Sequence, residues 1–205
     1  MQPARKIFLL LLLFMLAFAH RSAGQNLQIG QALFALGTLV VVRPDGIEDR
    51  LRGRGAVSLF EHDVLKTEGG SRSTFELSDG TRVGLNENTQ LQILSRWEKA
   101  HGVTRVLRLR RGQLWVRSAS GSRPVEIETV SGTAIVNNAE IDLRVADDGQ
   151  SALSVVQGSV QFATAYGWCT VTAATTSTGA IGSGCSANAK NNPQQITAWS
   201  RDLLK

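Results

Sequence analysis

Residues 74–93, TFELSDGTRVGLNENTQLQI, place large apolar side chains on odd positions: Phe75, Leu77, Val83, Leu85, Leu91 and Ile93. Glu76, Ser78, Arg82, Gln90 and Gln92 fall between them. A period of two belongs to a strand, because successive Cβ atoms point to opposite faces of a sheet. Wound into a helix, the same residues would spread around the circumference and leave no apolar stripe. Asp79-Gly80 interrupts the run once and Asn86-Glu87-Asn88 interrupts it again, both with turn-forming residues. The stretch therefore predicts three short strands in succession, each with one face for a core.

The same rhythm continues on both sides. TLVVV (38–42) is β-branched and ends at Pro44-Asp45-Gly46, a turn signature. VTRVLRLR (103–110) sets Val103, Leu107 and Leu109 on one face, and Arg111-Gly112 is expected to turn the chain into QLWVRS. VEIET, TAIV, EIDLRV, ALSVV and SVQFA follow, with Asp147-Asp148-Gly149 and Gln157-Gly158 as turns. Turn residues at intervals of about 8–12 predict an all-β domain, as a compact roll, a solenoid-like stack or a sandwich. Strands of 4–7 residues are expected over most of 37–165, with Val83, Leu85, Leu91, Leu109, Leu114, Ile127, Ile141 and Val155 inside. Residues 25–36 read as a linker or a first strand.

Two segments depart from the rhythm. Arg5 and Lys6 precede an unbroken apolar run from Ile7 to Ala19, followed by Ser22-Ala23-Gly24. Such a run is shorter than the roughly 20 residues a bilayer span needs. It reads as an export signal over residues 1–24. Three of the 22 basic residues and none of the 17 acidic ones lie in it, so the formal charge of +5 falls to +2 once it is gone. A chain so close to neutral argues against a nucleic-acid partner. Nothing later in the sequence reads as a membrane span. After Tyr166 the composition turns small and polar (170–192), which reads as an irregular loop closed by Cys169 and Cys185. Two cysteines in an exported chain favour a disulfide over free thiols. Beyond Pro193, Ile196, Trp199 and Leu203 fit one face of a short terminal helix.

Residues suited to catalysis are few. His62 beside Asp63 is the one pair that suggests an oriented imidazole, and His101 lies in a polar hinge. GAIGSG (179–184) follows no strand–helix unit, so it makes a poor phosphate loop. Asp147-Asp148 lacks the further oxygens a calcium site needs, and two cysteines without histidine make a poor zinc site. Neither a metal nor a cofactor is expected. Two basic stretches stand out: Arg50, Arg52 and Arg54, and Arg105, Arg108, Arg110 and Arg111. Arg108 and Arg110 share the face opposite Leu107 and Leu109. These arginines are candidates for a partner surface, with a protein or an anionic envelope polymer as the partner. They are equally the charges that discourage pairing at a sheet edge. Trp97, Trp115, Trp168 and Trp199 are expected as core anchors with one wet edge, or else as the lining of a groove.

The order of these motifs resembles the FecR-type domain, an all-β sensor segment of bacterial iron-uptake regulators. The likeness begins at Gly37-Thr38-Leu39-Val40-Val41 and continues through Asp63-Val64-Leu65-Lys66-Thr67, Ser73 and Phe75–Leu77. It then runs through Asp79-Gly80-Thr81 and Leu85 to Asn88-Thr89. LRLRRGQLWV (107–116), VEIETVSGTAIVNNAEIDLRV and SVVQGSVQF resemble the closing half. Glu61-His62, Thr129-Val130 and Asn138-Ala139 depart from the usual pattern. The resemblance spans about 37–166 and implies a non-enzymatic interaction or sensor module. In regulators of this kind a sigma-binding segment and a membrane helix precede the sensor. An export signal stands in that place here, which implies a stand-alone protein in the periplasm or outside the cell. A carbohydrate-binding domain or an enzyme using the tryptophans and arginines is the alternative.

Overall fold

The computed structural model describes the backbone of residues 28–98 and 102–203, and the side chains of all of these except 96–103. The expected export signal and His101 lie outside the described residues. The architecture is all-β. The strands are β1 (Gly30–Val42), β2 (Glu48–Leu59), β3 (Val64–Thr67), β4 (Arg72–Leu77), β5 (Arg82–Leu85), β6 (Gln90–Glu98) and β7 (Gly102–Arg117). They continue as β8 (Val125–Glu128), β9 (Thr133–Val136), β10 (Glu140–Val145), β11 (Ser151–Gln157), β12 (Ser159–Thr164), β13 (Gly167–Thr172), β14 (Thr175–Gly179) and β15 (Ala189–Lys190). A short helix α1 (Pro193–Ile196) and a 3₁₀ turn (Ala198–Leu203) close the described chain.

Two long strands organise the rest. β1 pairs with β4 through Leu36 and with β3 from Leu39 onward. β7 pairs with β6 through Arg111, then with β10 from Gly112 and with β5 from Leu114 onward. Because β4 pairs with β5 and β3 with β6, the short strands make two bridges between the same pair of long ones. One path runs β1-β4-β5-β7 and goes on through β10, β11 and β14. The other runs β1-β3-β6-β7 and goes on through β8, β9, β12 and β13. The result is a roll whose two sheets share β1 and β7. Most strands have 4–7 residues as expected, but β1, β2, β6 and β7 have 13, 12, 9 and 16.

Both long strands bend at a glycine. Gly37 has φ +78° and Gly112 has φ +91°, conformations that side chains other than glycine rarely adopt. A Cβ on Gly37 would lie 2.4 Å from Ser71 Oγ, and one on Gly112 2.4 Å from Thr89 Oγ1. The next residue in each strand donates its backbone N–H to that same hydroxyl: Thr38 to Ser71 Oγ and Gln113 to Thr89 Oγ1, both at 3.1 Å. So Arg111-Gly112, which the sequence suggests as a turn, is a bend within one strand. The bend shifts the alternation by one residue. Leu107 and Leu109 point inward before it, and Leu114 and Val116 after it.

The core lies between the sheets. Val83, Leu85, Leu91, Leu109, Leu114, Ile127, Ile141 and Val155 are all buried, together with Phe75 and Phe162. The segment after Tyr166 differs from the irregular loop expected of it. Residues 167–172 pair with β12 and 175–179 with β11. Its threonines are β-branched and suit strands, and Val171 and Ser177 fill the inward positions. The loop is confined to 180–188. Cys169 in β13 is disulfide-bonded to Cys185, with Cα atoms 6.4 Å apart, which joins the end of one sheet to the end of the other.

Candidate functional site

The two arginine stretches do not meet. β2 pairs with β1 alone, while β3 and β6 separate β1 from β7. Arg50, Arg52 and Arg54 therefore line the free-standing strand β2. Arg50 bonds Glu48 at 2.9 Å, Arg52 bonds Thr38 Oγ1 at 2.9 Å, and Arg54 lines a groove beside Leu33 and Phe34. Arg108 and Arg110 are exposed on the outer face of β7. Arg108 gives two hydrogen bonds to Glu128 Oε2, at 3.0 and 2.8 Å, and Arg110 bonds Gln92 Oε1 at 3.0 Å.

Arg105 belongs with neither group. It has the parity of Leu107 and Leu109, so it points inward, where the sheets part at one end of the roll. There a cleft of about 770 Å³ opens between the β4–β5 turn, the facing positions of β6 and β7, and the loop 120–124. The guanidinium is half-buried and donates to Ser95 Oγ at 2.7 Å. Burial pulls its pKa below the ordinary value, against the opposing charges of Glu61 and Asp79. Ser122 Oγ, from the loop that lines the cleft, is shut off from solvent with no hydrogen-bond partner among the described residues. The parity of Arg105 was legible in the sequence. The arrival of Ser122 was not, because it depends on how a loop crosses the end of the roll.

A second polar assembly lies on the outer face of β5, β7 and β10, where the C-terminal segment docks. Asp142 is buried and accepts from Gln113 Nε2 at 2.8 and 2.9 Å and from Trp199 Nε1 at 2.9 Å. Burial pushes its carboxyl up to about 6, against the pull of those two donors and the Arg144 charge. Gln113 Oε1 in turn accepts from Asn86 Nδ2, and Asn86 Oδ1 from Arg72. Trp115 is fully buried and donates to Glu140 at 2.8 Å. Gly84 leaves room for the packing, its Cβ position lying 3.5 Å from Trp199 and 3.6 Å from Trp115 and Leu203. Trp115 and Trp199 are thus anchors with a bonded edge. Trp168 is 68 % exposed instead, near the equally exposed Tyr166. The side chain of Trp97 lies outside those described.

His62 and Asp63 do not form an oriented pair. His62 sits in a left-handed turn conformation and is exposed. Asp63 is buried, and its Oδ2 accepts from Arg43 and from the Phe60 backbone N–H. Asp147 and Asp148 form a hairpin turn in which Asp148 Oδ1 caps the Gln150 backbone N–H at 2.9 Å. Among the described residues, no group of three or more histidine, cysteine, aspartate or glutamate side chains is placed to hold a metal ion.

No curated protein matches the chain. Two crystal structures of a candidate anti-sigma factor from Parabacteroides distasonis ATCC 8503 share its fold, each with a TM-score of 0.56 at 18% identity. The likeness covers 66% of this chain and 63% of theirs, less than two thirds of their length. The family model described as FecR protein matches residues 63–161, from the buried aspartate before β3 to the middle of β12. Over residues 63–161 this chain is therefore similar to the FecR protein family.

Proposed function

We propose that the chain is an exported, non-enzymatic interaction or sensor module of the bacterial cell envelope. The family match over 63–161 carries this reading. The fold-level likeness to a candidate anti-sigma factor supports a regulatory role among proteins rather than catalysis. The apolar run Ile7–Ala19 and the bond between Cys169 and Cys185 both suit a compartment outside the cytoplasm. No helix among the described residues is long and apolar enough to cross a membrane. In this reading residues 1–24 are an export signal, 37–166 the FecR-like unit, and 167–205 an extension whose terminal helix packs back on it. Residues 30–36 join that unit as the first half of β1.

The partner surface in this proposal is the outer face of β7, with Arg108 and Arg110 as its charges, and the arginines of β2 form a separate strip. Charge-assisted bonds from exposed guanidinium groups to an acidic protein or anionic polymer are screened by salt over about 8–10 Å. Capture from an envelope fraction at low and high salt tests this, comparing the natural chain with an Arg108→Ala, Arg110→Ala double variant. The captured partner should be lost at high salt and in the variant. Capture indifferent to both would leave these arginines as a solvated sheet face. Exposed Tyr166 and Trp168 favour the alternative of a carbohydrate-binding surface. They share one hairpin tip rather than a groove, and that reading ranks second.

A further inference from the structure

The cleft around Arg105 combines features that a merely structural arginine does not need. Its guanidinium has five N–H donors in a planar fork. Among the described residues it makes one hydrogen bond, to Ser95, and no ion pair within bonding distance. Arg43, Arg108 and Arg117, by contrast, each grip a carboxylate. Half-burial has removed part of the hydration of Arg105, and the nearby Glu61 and Asp79 act on it without a bond to it. The second observation is independent of the first. The hydroxyl of Ser122 is a buried donor with no acceptor, in a loop that lines the same cleft. Groups left unsatisfied in this way are rare in native proteins, and a missing ligand is one of their ordinary causes. Both vacant sets of donors call for an oxygen acceptor with negative charge.

The charge around the cleft limits what that acceptor is. Glu61 and Asp79 line it and act on Arg105 electrostatically. Arg123 also lines it, so two guanidiniums balance these two carboxylates and a dianion such as phosphate would leave two uncompensated negative charges. A carboxylate carries a single charge, and its two oxygens match the arginine fork. We propose that this cleft binds a ligand through one carboxylate group, held by Arg105 and hydrogen-bonded by the serine hydroxyls. The carboxylate belongs either to a small free acid or to the terminus of a peptide. This goes beyond the partner-surface reading and uses other residues, on the opposite face of β7 from Arg108 and Arg110, so either can fail without the other.

The test is a titration of the full mature chain with acetate, followed by the backbone amide resonances of Ser95, Arg105 and Ser122. These should shift saturably, with an affinity about tenfold or more above that at Arg108 and Arg110. Inorganic phosphate at neutral pH should bind the cleft more weakly than acetate. Arg105→Gln should abolish the acetate response and Arg108→Gln should leave it intact. A tetrapeptide with a free C-terminus, compared with its amide, assigns the source: tighter binding than acetate by the free acid alone points to a peptide terminus, equal binding to a small acid. Linear, unsaturating shifts with acetate, or phosphate binding as tight as acetate, overturn the proposal. Those two results come from the natural chain and do not depend on the variant folding.

Discussion

Asp142 shows how one buried carboxylate ties sequence to condition-dependent stability. It accepts hydrogen bonds from Gln113 and Trp199 and touches no cation, so removal from water dominates and its pKa is pushed up to about 6 from an ordinary 3.8. A carboxyl that holds its proton more tightly when folded stabilises the fold most at low pH. That contribution is fully present below about pH 3.8 and falls away as pH rises to about 6. At about 1.4 kcal/mol per unit, the loss is about 3 kcal/mol. An Asp142→Asn variant cannot ionise there, so it should gain on the natural chain by about that amount between pH 4 and pH 7. Denaturant unfolding of both proteins at several pH values measures the difference directly. A gap that stays constant to within about 1 kcal/mol across this range would mean that the carboxylate is better solvated than its burial implies.

At the scale of elements, the bend in β7 decides whether the roll closes. Replacing Gly112 by alanine sets a Cβ 2.6 Å from Thr89 Cα and 2.9 Å from the Asn88 carbonyl, in a backbone conformation that alanine rarely adopts. The clash is with backbone, which cannot swing away, so Gly112→Ala should cost at least about 2 kcal/mol. Gly70 has a similar φ of +71° and open space around it, so Gly70→Ala should cost only about 1 kcal/mol. Thermal unfolding of the two variants checks the ranking, and equal losses would show that β7 can straighten. The same bend explains what was legible beforehand. Alternation revealed the inward faces of β4, β5 and the first half of β6, because each keeps one parity. It could not distinguish a turn at Arg111-Gly112 from a bend, since both need a glycine and both reset the pattern. Strand neighbours were hidden as well, because a period of two names faces and not partners. Whether the arginines of β2 adjoin those of β7 was open for that reason. The threonine-rich strand β14 was missed because its inward positions, Ser177 and Gly179, are small and carry little apolar signal.

Over the whole molecule, the two sheets are held together by β1 and β7 at one end and by the disulfide at the other. β13 ends one sheet and pairs only with β12, and β14 belongs to the other sheet. Cys169 and Cys185 pack against the core beneath this seam, 16 residues apart in sequence. In the loop-closure picture a bridge of that span removes unfolded-state entropy worth about 3 kcal/mol. Natively isolated protein should therefore be lighter than its reduced form by two hydrogen atoms, and reduction should lower its stability by about that amount. The loss should be uneven. Shared long strands still bind β3–β6 on both edges, whereas β13 and β14 are joined across the seam only by the short Ala173-Ala174 turn besides the bridge. Hydrogen exchange after reduction should quicken first at 167–190, leaving the amides of Leu91 and Leu107 protected until global unfolding. Exchange that rises equally at both ends would make the roll one cooperative unit. Thiol labelling of both cysteines in native protein would show that the bridge does not form in the cell.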